Sequence, residues 1–125
     1  MKMLITALQW LCQIGAGAIL LMAGLGKLQG AEDQVAMFKA LGMEPNGRVL
    51  IGICEVVAGA GLFHPLSAAY AALLGSGVLT GAALAHIGPL GGEGIEVFAP
   101  TYAALLFVLM TRRSELVLSS SRRMN

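Results

Sequence analysis

Residues 3–26 read MLITALQWLCQIGAGAILLMAGLG, a run from Met3 to Gly26 with no charged side chain. A helix needs about 20 apolar residues to cross roughly 30 Å of hydrocarbon, so this stretch is long enough to span a bilayer. It also exceeds the apolar region of roughly 7 to 15 residues found in a cleaved signal peptide. Bulky Leu11 directly before Cys12 makes a poor lipoprotein processing site. The segment is expected to stay as an anchor, and the fold then turns on whether the rest of the chain behaves alike.

The composition says that it does. Of 125 residues, 57% are hydrophobic and 12% charged, with a mean hydropathy of +0.79, where a soluble domain carries about a quarter charged residues. A water-soluble monomer is excluded on these numbers, and so is a disordered chain, which needs charge and low hydropathy to stay solvated. Eight Lys and Arg against seven Asp and Glu leave a formal charge of +1 and no basic stripe, so nucleic acid is no partner.

Three further apolar segments follow, at residues 48–63, 66–87 and 97–111, separated where charge, Gly and Pro collect. His64-Pro65 and Gly88-Pro89 mark turns, and Arg112-Arg113 close the last segment. Two β-barrel hairpins are the alternative, but the runs do not alternate and are rich in Ala, Leu and Gly rather than β-branched residues. The expected fold is all-α: one four-helix transmembrane bundle over residues 1–125, with 112–125 as a loose, basic cytoplasmic tail. Lys2, Arg112, Arg113, Arg122 and Arg123 gather on one side. Lys27, Lys39 and Arg48 on the other are diluted by Glu32, Asp33, Glu44, Glu93 and Glu96. The positive-inside rule places both termini in the cytoplasm.

Between the first and second segments, residues 30–47 describe a short amphipathic helix. Glu32-Asp33 suit its positive N-terminal end, Val35, Phe38 and Leu41 recur at helical spacing, and Gly42 stops it. It lies on the outer surface, either as a connector that packs Phe38 and Leu41 on the bundle or as a lid.

An ionisable residue inside a span is costly, about 2.5 to 3.5 kcal/mol on insertion scales, and marks a candidate site. At 100° per residue, Glu55 shares its face with Gly52, Ala58, Gly59 and Leu62, while Ile53 and Val57 lie opposite. Small residues let another helix approach, so Glu55 points inward. His86 aligns with Ala82, Leu79, Gly75, Ala72 and Ala68; Lys27 aligns with Ala23, Leu20, Ala16, Gln13 and Gln9. Glu55 lies seven residues into its inward-running helix, roughly 10 Å at 1.5 Å per residue. All three groups thus fall in the outer half of the bilayer, where Tyr102 can complete a cup with Glu96 at its rim.

Such a cup can hydrogen-bond a quinone carbonyl or pass a proton, with Lys27 bearing on whether Glu55 donates or accepts. Each residue also has a purely structural use. Lys27 can snorkel to headgroups, and Glu55 can pin helices together. Gln9 and Gln13 can bond between helices, while Trp10, Tyr70, Phe98 and Tyr102 can anchor or pack. His64 is expected to be solvated in its turn. Cys12 and Cys54 read as packing residues at different depths, unsuited to thiol-to-quinone electron transfer. The sequence has no metal-ligand cluster, nucleophile triad, P-loop or dinucleotide fingerprint.

In order and spacing, Ala23-Gly24-Leu25-Gly26-Lys27-Leu28, then Phe38 with Leu41-Gly42, then Ile51-Gly52 leading to Glu55, Gly59 and Leu62, then Gly81-Ala82 before His86 resemble the DoxX or DoxX-like family. The likeness runs from Leu20 to Met110. It implies a four-helix bacterial inner-membrane protein with both termini inside, from a family that takes its name from membrane components associated with sulfur-compound oxidation coupled to quinone. The first functional expectation is therefore a redox-associated accessory subunit rather than a stand-alone enzyme. Glu55, His86 and Lys27 are its catalytic candidates: Glu55 as proton acceptor or carbonyl partner, His86 as donor, Lys27 as the charge that sets Glu55. Glu55, His86 and Tyr102 form the candidate quinone site, with a redox protein or a second copy of the chain as partner beside the lipid. The alternatives are a non-enzymatic structural or assembly factor and a small-solute carrier, the latter disfavoured by the absence of an internal repeat.

Overall fold

A computed structural model describes residues 1–92, 96 and 98–124, with the side chains of 115 and 117–124 excepted. The described residues form five helices and no strand: α1 (Lys2–Gln29), α2 (Glu32–Ala40), α3 (Asn46–Gly61), α4 (Ala68–Ile87) and α5 (Phe98–Met124). The all-α expectation and the short helix after α1 are both present. α1 ends where Gly30 takes φ 73°, a left-handed conformation that lets its own N–H and that of Ala31 bond back to Lys27 O and Gly26 O. α2 opens with Glu32 and Asp33 against its positive end and closes before Gly42, at φ 70°.

The four longer helices form a ring in which α1 packs on α3 and α5, and α4 packs on α3 and α5. Polar links show that α1 and α3 are antiparallel, since Gln13 meets Leu62 at one end and Lys27 meets Glu55 toward the other. Close approach of α1 and α3 rests on glycines seven residues apart on each helix. A Cβ on Gly24 would stand 2.8 Å from Gly52 O, and one on Gly59 would stand 2.8 Å from Gly17 O. The two backbones therefore touch directly at two levels.

The core is small and aliphatic: Leu20, Leu62, Leu105 and Val108 are fully buried with Ala58, Ala68 and Ala72 between them. The face assignments made at 100° per residue hold. Gly52, Glu55, Ala58 and Gly59 are buried on α3, whereas Ile53 and Val57 are 47% and 56% exposed. On α4, Ala68, Ala72, Gly75 and Leu79 are buried; on α1, Gln13, Ala16, Leu20 and Lys27 are. Both cysteines are free and half-buried.

Two helices, α1 and α4, are long and apolar enough to cross a membrane by length and composition. α3 has 16 residues, about 24 Å at 1.5 Å each and short of the ~30 Å hydrocarbon layer. The expected closure at Arg112-Arg113 is not a helix end, for α5 continues as helix to Met124 instead of becoming a loose tail. No Gly or Pro stands between Arg113 and Met124 to break it. Glu93 in the charge count and Val97 at the start of the fourth segment lie outside the described residues, as do the side chains of Arg122 and Arg123.

Gln13 is a junction that no local pattern announces. Its Nε2 donates to Leu62 O at 2.9 Å, and its Oε1 accepts from Arg112 Nε at 2.6 Å. The Arg112 guanidinium in turn lies 5.7 Å from the Trp10 ring centroid. One fully buried amide thus ties α1 to the end of α3 and to α5. Gln13→Leu is expected to lower stability by about 1–3 kcal/mol, because Leu62 O loses its side-chain donor without access to water. Thermal unfolding in detergent measures this, and an unchanged midpoint would remove Gln13 from that role.

Candidate functional site

Arg48, in the first turn of α3, positions the end of α1. Its Nε bonds both Glu44 carboxylate oxygens, at 2.8 and 3.1 Å, and its Nη1 donates to Lys27 O. That last contact supplies a donor to one of the carbonyls a helix leaves unpaired at its C-terminus. Lys27 is thereby held where its side chain turns into the ring, with Nζ 3.1 Å from Glu55 Oε2. Both residues are nearly closed off, at 9% and 5% exposure. The two form an ion pair, and beyond Lys27 no hydrogen-bond partner meets Glu55 Oε2 among the described residues.

Lys27, Glu55 and His86 line one cavity of about 410 Å³. Its walls are apolar: Ile19, Leu20 and Ala23 from α1, Ile51 from α3, and Val78, Leu79 and Ala82 from α4. α2 covers it with Gln34, Met37, Phe38 and Leu41, and α5 adds Phe98 and Thr101. Phe38 is buried beneath α2, so α2 packs as expected and also roofs the cavity.

His86 Nδ1 lies 2.8 Å from Ala82 O. A carbonyl only accepts, so Nδ1 carries the proton, and the neutral ring offers Nε2 as an acceptor. His86 becomes a donor at Nε2 only as the imidazolium, which narrows the donor role expected of it. Its ring meets Phe98 edge to face, with centroids 4.9 Å apart at 73°.

Tyr102 is not brought into this cavity. Its hydroxyl is 3.2 Å from Thr80 Oγ1, in a separate groove between α4 and α5 lined by Ala83, Leu84 and Leu106. A helical step of 100° separates it from Thr101, which with Phe98 faces the cavity from α5. Glu96 is exposed. Two polar lining residues, Thr101 and Gln34, do not stand out in the sequence. Gln34, with Phe38 and Leu41, completes an i, i+4, i+7 face of α2, so the helical period that placed Phe38 inward also places Gln34. Its Nε2 donates to Asp33 Oδ2 at 3.3 Å, while its buried Oε1 has no partner among the described residues.

Chemically, the site sets one paired carboxylate, one ammonium, one imidazole and a lone amide oxygen against apolar walls. It can hold a small ring or chain bearing polar atoms, and it can bind a proton at Glu55 or His86. Compared with known proteins, residues 11–110 match the DoxX-like family. No curated protein and no solved structure matches the chain.

Proposed function

This chain belongs to the DoxX-like family, and on that footing we propose that it is a multi-pass inner-membrane protein, one four-helix transmembrane domain with both termini in the cytoplasm. Supporting this, only 22% of the apolar window of α1 and 39% of that of α4 is buried, whereas a soluble protein's core helix buries most of its apolar surface. The apolar residues left outside, such as Leu11, Met22, Leu50, Val57, Leu73 and Met110, are those a bilayer covers. In this reading α2 lies on the outer face. The Lys and Arg balance that orients the chain is the one read from its sequence.

Within that membrane protein the cavity is a site for a quinone-type head group, in an accessory subunit serving a redox partner. The observation that carries this is the buried Lys27–Glu55 pair set into an otherwise apolar pocket beside His86. A structural pin needs no cavity, whereas a ring-binding site needs apolar walls with few polar groups. Lys27 Nζ and the Thr101 hydroxyl supply donors toward carbonyl oxygens; Glu55 Oε2 and His86 Nε2 supply acceptors. When bound, a quinone supplies two-electron, two-proton redox chemistry. Glu55 holds or releases a proton at Oε2, Lys27 fixes the charge beside it, and His86 connects the site toward the outer end of α4. The roof of Phe38 and Leu41 keeps water from the pocket.

The test is thermal unfolding of the detergent-purified chain with short-chain ubiquinone and menaquinone analogues. A ligand that binds only the folded state stabilises it by about 2.7 kcal/mol at a hundredfold excess over its Kd. A saturable rise in wild type that disappears in Glu55→Gln and weakens in His86→Ala is expected. No rise with any quinone, with the same variants merely less stable, would make the pair a structural pin and favour an assembly factor.

A further inference from the structure

The polar atoms around the cavity are unevenly matched. Gln34 Oε1 is a buried acceptor without a hydrogen-bond partner among the described residues, and Glu55 Oε2, equally buried, has the Lys27 ammonium as its one neighbour of opposite charge. His86, with Nδ1 engaged by Ala82 O, presents a third acceptor at Nε2. Against these stand two donors, the Thr101 hydroxyl and Lys27 Nζ, the latter already at 3.1 Å from Glu55 Oε2. A buried acceptor left unpaired is costly, and native structures seldom tolerate one without a ligand, water or function to explain it. The unmet demand of this pocket is for donors.

Quinone and hydroquinone differ in this respect. The oxidised ring brings two carbonyl oxygens, which only accept; the reduced ring brings two O–H groups, which donate. We propose that the cavity takes the reduced form, a lipid-soluble hydroquinone, in preference to the quinone. This deepens the quinone-site reading above and rests on it. One hydroxyl donates to Glu55 Oε2, a charge-assisted bond stronger than a neutral one, and the second finds Gln34 Oε1 or His86 Nε2. Phe38 and Phe98 supply aromatic surface for the ring. Lipid solubility follows from the exposed residues of the lining, Ile19, Gly77 and Gly81, which open the cavity onto the apolar flank of the molecule. Binding moves no electron and transfers no proton; it selects one member of a redox couple.

The experiment measures the affinities of decyl-ubiquinol and decyl-ubiquinone, anaerobically, for the full chain in nanodiscs, together with the dimethyl ether of the ubiquinol. The ether keeps the reduced ring but has no O–H. The hydroquinone is expected to bind at least tenfold tighter than the quinone, equivalent to raising the two-electron potential of the bound couple by about 30 mV. The ether is expected to bind no better than the quinone, and Gln34→Leu to shrink the preference. A quinone that binds as tightly as the hydroquinone, or an ether that matches the hydroquinone, overturns this inference and leaves the quinone site standing. Binding by none of the three overturns the site itself.

Discussion

Lys27→Met is expected to destabilise the folded chain by about 3–5 kcal/mol, the scale on which removing one member of a buried ion pair strands the other. Glu55 would keep its place, 5% exposed, without the ammonium now 3.1 Å away. The penalty does not measure how much the pair adds to stability, since two charges taken from water lose about as much as their attraction returns. Replacing both, as in Lys27→Met with Glu55→Leu, is therefore expected to recover most of the loss. A double-mutant cycle by thermal unfolding in detergent separates the outcomes. A single variant as stable as wild type would mean that Lys27 reaches headgroups instead, and that Glu55 is not held by it.

The second large effect concerns the α1–α3 contact. Gly24→Ala would place a Cβ 2.8 Å from Gly52 O, and Gly59→Ala one 2.8 Å from Gly17 O and 2.9 Å from Leu21 N. These neighbours are backbone atoms of a packed helix and cannot swing aside as a side-chain tip can, so the helices must separate. Overpacking of this kind costs about 1–3 kcal/mol, and separation of α1 from α3 would also widen the Lys27–Glu55 gap. Gly15→Ala and Gly26→Ala are matched controls on the same helix, with nothing within 4 Å of the added carbon. They are expected to be neutral, or stabilising by up to about 1 kcal/mol through helix propensity. Four equal midpoints would show that α1 and α3 do not approach as closely as described.

Much of this architecture is legible from spacing alone. Successive residues of a helix differ by 100°, so the inward stripes through Gln13, Leu20 and Lys27, through Gly52, Glu55 and Gly59, and through Ala72, Gly75 and Leu79 follow from counting. The same counting brings Lys27, Glu55 and His86 to one cavity, because helices that alternate in direction put the ends of α1 and α4 on the same side, where the middle of α3 supplies Glu55. What local spacing does not carry is the phase of a helix whose apolar residues surround it. On α5, Tyr102 reads from the sequence as a residue able to complete the cup, but packing sets Thr101 inward and leaves Tyr102 with Thr80. Gln13 and Arg112 stand 99 residues apart. Arg112 reads as an orienting charge, and only the antiparallel packing of α1 on α5 brings it to a buried amide. Gln34 was hidden for another reason: on a short, charged helix a glutamine reads as solvated until the cavity beneath that helix is known.

We propose the pocket under α2 as the place where a quinone-type ring binds. A photoreactive short-chain azidoquinone, irradiated with the full chain in detergent and mapped by peptide mass spectrometry, tests it most directly. Saturable labelling is expected at Met37, Phe38, Phe98 and Thr101, the residues that close the cavity from α2 and α5, displaced by unlabelled hydroquinone. Labelling that does not saturate, or that falls on the outward residues Met22, Leu73 and Met110, would contradict it.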